Sequence, residues 1–139
     1  MAYRGSCLCG NIHYQFTRFD NEIAHCHCRM CRKFHGAAFS TFVPVARTDL
    51  TWKTGAKCLA TYQASNGTKR QFCVNCGSSL TFQSANDNNT LEIALATLDM
   101  DDSSLTPLPV PDAHVHVDSK VEWYTINDEL PQYRKDRPT

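Results

Sequence analysis

Cys26-His27-Cys28-Arg29-Met30-Cys31 places three cysteines within six residues, and the rest of the chain is read outward from this stretch. Three reduced sulfurs this close repel or oxidise unless a soft divalent metal holds them as thiolates. Three ligands also leave a tetrahedral ion one corner for a further group, which points to an enzyme. The remaining cysteines supply a second, closed set. Cys7-Leu8-Cys9-Gly10 lies near the start and Cys73-Val74-Asn75-Cys76-Gly77 past the middle. Cys7, Cys9, Cys73 and Cys76 together would fill a structural zinc, so two zinc ions are expected per chain, bound four plus three.

The 139 residues form one expected domain, residues 1–139, able to bury roughly 65–70% of the unfolded surface. Fourteen basic residues balance fourteen acidic ones, which argues against nucleic acid and acidic membranes as partners. Met1-Ala2-Tyr3-Arg4-Gly5 leads into no apolar run, and nowhere do about 18 apolar residues stand together. A cytoplasmic location is therefore expected. In that compartment eight cysteines read as metal ligands rather than disulfides. Cys7/Cys9 and Cys26/Cys28 would each point to one face of an extended strand, and the Cys-x-x-Cys pair would form a tight knuckle. Glycine after Cys9 and after Cys76 suits a knuckle whose backbone passes through positive φ. Cys58 fits neither group and reads as a small core residue.

The rest of the chain reads as short strands, with no long helical period. Ile12, Tyr14 and Phe16 alternate with polar neighbours, and Ile23-Ala24-His25-Cys26 delivers the three-cysteine cluster. Cys31 is expected to open a short helix. Arg29, Arg32, Lys33 and His35 form a basic collar, either solvated surface or a means of drawing substrate carboxylates to an anionic metal site. A strand over residues 37–43 is expected to close at Pro44. Asn66-Gly67 signals a hairpin with both central residues at positive φ, and Ser79–Gln83 pairs with Leu91–Ala96. Residues 97–111 read as a connector. Its Asp99, Asp101 and Asp102 lack the glycine-containing frame of a calcium loop. His114 and His116 would share one strand face in a structural or substrate-facing role, and residues 134–139 read as disordered.

Thiolate donation blunts the Lewis acidity of zinc, so a three-cysteine site suits hydroxide generation poorly. It suits a substrate thiol better, because a thiol of free pKa about 8.5 is deprotonated on coordination. Polarising an aldehyde carbonyl is the other route, and both join or part carbon and sulfur. Two alternatives stay open. His25, His27, His35, His114 or His116 could complete a closed Cys₃His site, and the whole chain could be a noncatalytic zinc-braced binding module.

The pieces Gly5-Ser6-Cys7-Leu8-Cys9-Gly10, Cys26-His27-Cys28-Arg29-Met30-Cys31 and Phe72-Cys73-Val74-Asn75-Cys76-Gly77-Ser78 resemble the glutathione-dependent formaldehyde-activating enzyme family, which includes centromere protein V. His114-Val115-His116-Val117, Ser119-Lys120, Trp123 and Leu130-Pro131-Gln132-Tyr133 extend the likeness, which covers about residues 3–133. The resemblance implies a mainly β fold, a β-tent of antiparallel sheets braced by zinc. It implies a structural zinc on Cys7, Cys9, Cys73 and Cys76 and a catalytic one on Cys26, Cys28 and Cys31. The implied activity is that of a carbon-sulfur lyase (S-hydroxymethylglutathione synthase-like), with glutathione and formaldehyde as partners.

Overall fold

The structure, a computed structural model, describes residues 2–100 and 107–138. Among them are ten strands and one α-helix. In chain order these are β1 (Tyr3–Ser6), β2 (His13–Phe16), β3 (Ala24–Cys26), α1 (Arg29–His35), β4 (Ser40–Ala46) and β5 (Thr51–Thr54). They continue with β6 (Leu59–Gln63), β7 (Lys69–Cys73), β8 (Ser79–Gln83), β9 (Thr90–Ala94) and β10 (Ala113–Val115). The fold is mainly β, in two sheets of orders β1-β2-β5 and β10-β3-β4-β9-β8-β7-β6. Every pairing is antiparallel except that of β10 with β3.

The period-2 pattern of the sequence explains how the sheets pack. Ile12, Tyr14 and Phe16 are fully buried with Tyr3, and Tyr3 stacks on Phe16 at a centroid distance of 5.3 Å. They share one core with Val43 and Val45 of β4 and Leu91 and Ile93 of β9. Each such side chain contributes roughly 2 kcal/mol by leaving water. The alternate residues of the same strands emerge on the other face of the large sheet. There Phe42 and Ala94 pack with Cys31 as a smaller cluster, flanked by Cys26, Cys28 and Phe82. Strand register then lays Pro44, Glu92, Phe82 and Arg70 in one transverse row across β4, β9, β8 and β7. That row is the floor of a cleft.

Several local expectations are corrected. Pro44 does not close its strand; β4 runs through it, paired with Glu92. Its carbonyl accepts from Asp20 N at 2.9 Å on the side where β3 has already ended, so the missing N–H leaves no strand partner unsatisfied. The Asn66-Gly67 hairpin joins β6 to β7 through the longer loop 64–68, and only Gly67 takes positive φ. Leu98, at the start of the expected connector, is a core residue, and Asp99 accepts from Ser6 Oγ at 3.0 Å. Asp101 and Asp102 lie outside the described residues. The expected disorder of the tail is also overturned. Within 134–138, Arg134 bonds Asp118 at 3.1 Å, Asp136 bonds His116 at 2.8 Å, Arg137 pairs with Asp112, and Lys135 O accepts from His116 N at 3.0 Å.

Candidate active site

All eight cysteines are free thiols, and seven of them assemble as four plus three. The sulfurs of Cys7, Cys9, Cys73 and Cys76 lie within 4.8 Å of one another. Cys7 and Cys9 are expected on one face of an extended strand; they occupy instead the turn after β1, because the chain reverses there into β2. Gly10 and Gly77 follow at φ 81° and 79°, in open space where no neighbour would obstruct a side chain. The left-handed backbone is therefore what favours glycine at both. Amide and hydroxyl groups are aimed at the sulfurs: Ile12 N donates to Cys7 Sγ at 3.3 Å, and Ser78 Oγ stands 3.3 Å from Cys76 Sγ. The Ser78 contact helps push the Cys76 thiol down to about 5. An all-sulfur set with hydrogen-bond donors around it fits zinc.

Cys26, Cys28 and Cys31 form the second group, again within 4.8 Å. Cys26 ends β3, Cys28 follows it, and Cys31 lies in the first turn of α1 rather than opening it. Cys28 is the helix N-cap, where its sulfur accepts from Cys31 N at 3.3 Å, a role usually taken by a side-chain oxygen. Hydrogen bonds from Cys26 and Cys31 hold the Cys28 thiol far below its ordinary value. Arg70, 4% exposed, brings both terminal nitrogens to 3.7 Å from Cys31 Sγ. Its guanidinium lies over the Phe82 ring at 4.7 Å and the Phe34 ring at 5.5 Å. This group also fits a thiophilic divalent ion, with a cation beside the sulfurs to balance their charge.

The three cysteines line a cleft of about 750 Å³ with Arg29, Arg70, Glu92 and His116. Burial in its floor raises the Glu92 carboxyl to about 7. Among the described residues no histidine or carboxylate lies within 4.8 Å of all three sulfurs to complete the group.

A model of the glutathione-dependent formaldehyde-activating enzymes matches residues 2–119. The chain belongs to this family. It is 28% identical over 134 residues to a protein of Schizosaccharomyces pombe named as an uncharacterized lyase, an alignment covering 96% of this chain and 92% of that one. A crystal structure of a Rhodobacter sphaeroides protein superposes with a TM-score of 0.61 at 23% identity, covering 72% of this chain and 91% of that one, which shows a shared fold.

The histidines of this family member go elsewhere. His27 and His114 are fully buried, 2.8 Å apart between Nε2 and Nδ1, and His114 reaches Asp128 at 3.0 Å. His35 packs against Phe42 and Phe34, and burial lowers its pKa to about 4. His116 does not share a strand face with His114. It takes φ 56°, leaves β10, and lines the cleft instead. Of the basic collar, Arg29 lines the cleft, while Lys33 is exposed. Cys58 stays out of both sulfur groups and packs half-buried against the main core, as expected.

Sequence reasoning missed Arg70, Glu92, Asp136 and Arg137 as cleft residues. The alternation of Leu91-Glu92-Ile93 does put Glu92 opposite the core, but such a residue ordinarily faces water. Arg70 carried no signal, because its partner Cys31 is 39 residues away.

Proposed function

We propose that the protein is a zinc-dependent carbon-sulfur lyase-type enzyme that joins a thiol such as glutathione to formaldehyde and cleaves the adduct. Family membership and the lyase-named relative support a lyase-type function in general. The observation that carries the finer reading is the convergence of Cys26, Cys28 and Cys31 at the wall of a cleft large enough for a small thiol adduct.

Cys26, Cys28 and Cys31 would hold the catalytic zinc, and Cys7, Cys9, Cys73 and Cys76 the structural one. Zinc bound by the three sulfurs supplies a Lewis-acid position at which a thiolate is favoured over a thiol at neutral pH. Arg70 offsets the surplus negative charge of three thiolates on a divalent ion, so a further anionic sulfur is tolerated. In the synthetic direction the substrate thiol would release its S–H proton to solvent, the thiolate sulfur attacks the aldehyde carbon, the C–S bond forms as the carbonyl π bond breaks, and that electron pair moves to oxygen, which takes a proton. Glu92, with a pKa near 7, is the cleft carboxyl poised to give that proton and to recover it in the reverse reaction. Arg29 and Arg137 on the cleft wall suit the carboxylates of a peptide thiol.

The test is consumption of isotope-labelled formaldehyde in the presence of glutathione, followed by NMR against the uncatalysed background. Zinc-loaded protein should accelerate adduct formation, and Cys28→Ser should abolish the acceleration while the far-ultraviolet spectrum is kept. Glutathione should also shift the charge-transfer bands of the cobalt-substituted protein. A band shift without turnover would make the chain a binding module. The absence of both effects would overturn the reading.

A further inference from the structure

Strand register places His114, His25 and Thr41 in one row across β10, β3 and β4. Their neighbours Val115, Cys26 and Phe42 line the cleft or its apolar cluster. Successive side chains of a strand point to opposite faces, so the row lies on the far side of the sheet from the cysteines. One ring nitrogen from each of His25 and His114 and a carboxylate oxygen of Asp128 come within 4.8 Å of one another.

The surroundings of these groups are those of metal ligands. His25 Nδ1 is held by Thr41 Oγ1 at 2.7 Å, and among the described residues its Nε2 has no hydrogen-bond partner. His114 Nδ1 meets His27 Nε2 at 2.8 Å, and its Nε2 faces both oxygens of Asp128 at 3.0 and 3.1 Å. Metal-binding imidazoles are oriented in this way, by a hydrogen bond at the nitrogen turned away from the ion. Asp128 is itself fixed: Leu130 N donates to its Oδ1 at 3.1 Å. The chain beyond it is bonded to β10, with His114 N donating to Pro131 O and Tyr133 N to His114 O, both at 2.9 Å. His114 is fully buried while the Asp128 side chain is 44% exposed, which gives an ion a route from solvent.

We propose that His25, His114 and Asp128 form a third metal site, separate from both cysteine groups, for a borderline divalent transition ion such as zinc, cobalt or nickel. Two imidazoles and one carboxylate select such ions, while the absence of thiolate disfavours softer ones. His114 binds through unprotonated Nε2 and donates from Nδ1 to His27 Nε2, and His27 carries its own proton on Nδ1. No proton is gained or lost in that tautomer change. The ion would clamp the segment around Asp128 onto the β10–β3 edge.

The experiment titrates cobalt(II) into protein whose cysteine groups are already zinc-loaded. We expect one further equivalent to bind with visible d–d absorption and without the near-ultraviolet sulfur-to-cobalt bands that a cysteine site would give. Asp128→Asn should weaken this binding at least tenfold while leaving the zinc content of the cysteine groups unchanged, and His25→Gln should do the same where it folds. A zinc ion already bound there, lost specifically in Asp128→Asn, would support the site equally. No ion of either metal beyond those of the cysteine groups, uptake with thiolate bands only, or binding indifferent to Asp128→Asn would overturn it. None of these outcomes depends on turnover of a thiol or an aldehyde.

Discussion

Arg70 and Glu92 stand in one transverse row of the cleft floor, on β7 and β9, and each has a measurable consequence. The Arg70 guanidinium is the charge beside Cys31, and outer partners of metal ligands typically change metal affinity by 10–100-fold. Arg70→Met keeps bulk between Phe34 and Phe82 but removes the N–H···S contacts. It should speed zinc loss from the three-cysteine group about tenfold or more in competition with a chromophoric chelator. Thermal stability of the zinc-loaded protein should fall as well, because the buried sulfur group loses the cation that balances it; unchanged release would deny Arg70 this role. Glu92 is raised from 4.5 to about 7 by desolvation, so the folded state keeps a proton that the unfolded state has released across that window. Stability therefore falls as pH rises from 4.5 to 7, by up to about 3 kcal/mol, and the penalty is fully present above 7. Glu92→Gln should match wild type in denaturant melts near pH 4.5 and exceed it at pH 8. A difference that does not vary with pH would contradict the assignment.

The C-terminal segment is the element whose role was least visible. Residues 134–139 read as disordered, yet Asp136 and Arg137 wall the cleft and pair with His116 and Asp112. Composition gives no means of pairing a charge with a partner folded beneath it. The cysteine groups were legible for the opposite reason: thiolates in this number and spacing have few other uses. The strands of the core were legible because Ile12-x-Tyr14-x-Phe16 and Val43-x-Val45 carry the period of a pleat. Helix α1 was legible only in part, since Cys28 as an N-cap has no oxygen to announce it. The row of His114, His25 and Thr41 depended on β10 lying parallel to β3, a pairing between segments almost ninety residues apart that no local pattern encodes. Removing residues 134–139 should raise the dissociation constant for glutathione several-fold by calorimetry. The melting temperature should change little, because exposed ion pairs contribute about 0–1 kcal/mol each. Unaltered binding would place the tail outside the site.

On the scale of the whole molecule, the two sulfur groups act on different things. The three-cysteine group sits on the cleft face of the large sheet, with all three sulfurs drawn from one stretch of six residues, so a metal held there would constrain little of the unfolded chain. The four-cysteine group joins the turn after β1 to the loop after β7, and Cys9 and Cys73 are 64 residues apart in sequence. A cross-link across a loop of that length removes conformational freedom from the unfolded ensemble worth on the order of 4 kcal/mol. The same link holds the small sheet, through Cys7, against the large sheet, through Cys73, and both of these cysteines are part of the main core. Cys76→Ser should therefore lower the denaturant midpoint of zinc-loaded protein sharply and reduce its zinc content by one ion. Cys28→Ser should lose one zinc with only a small shift in midpoint, and Cys58→Ser should keep both ions. Stripping zinc with a chelator should bring wild type down to the stability of Cys76→Ser. If the wild-type and Cys76→Ser midpoints coincide while zinc is present, the four sulfurs do not brace the two sheets.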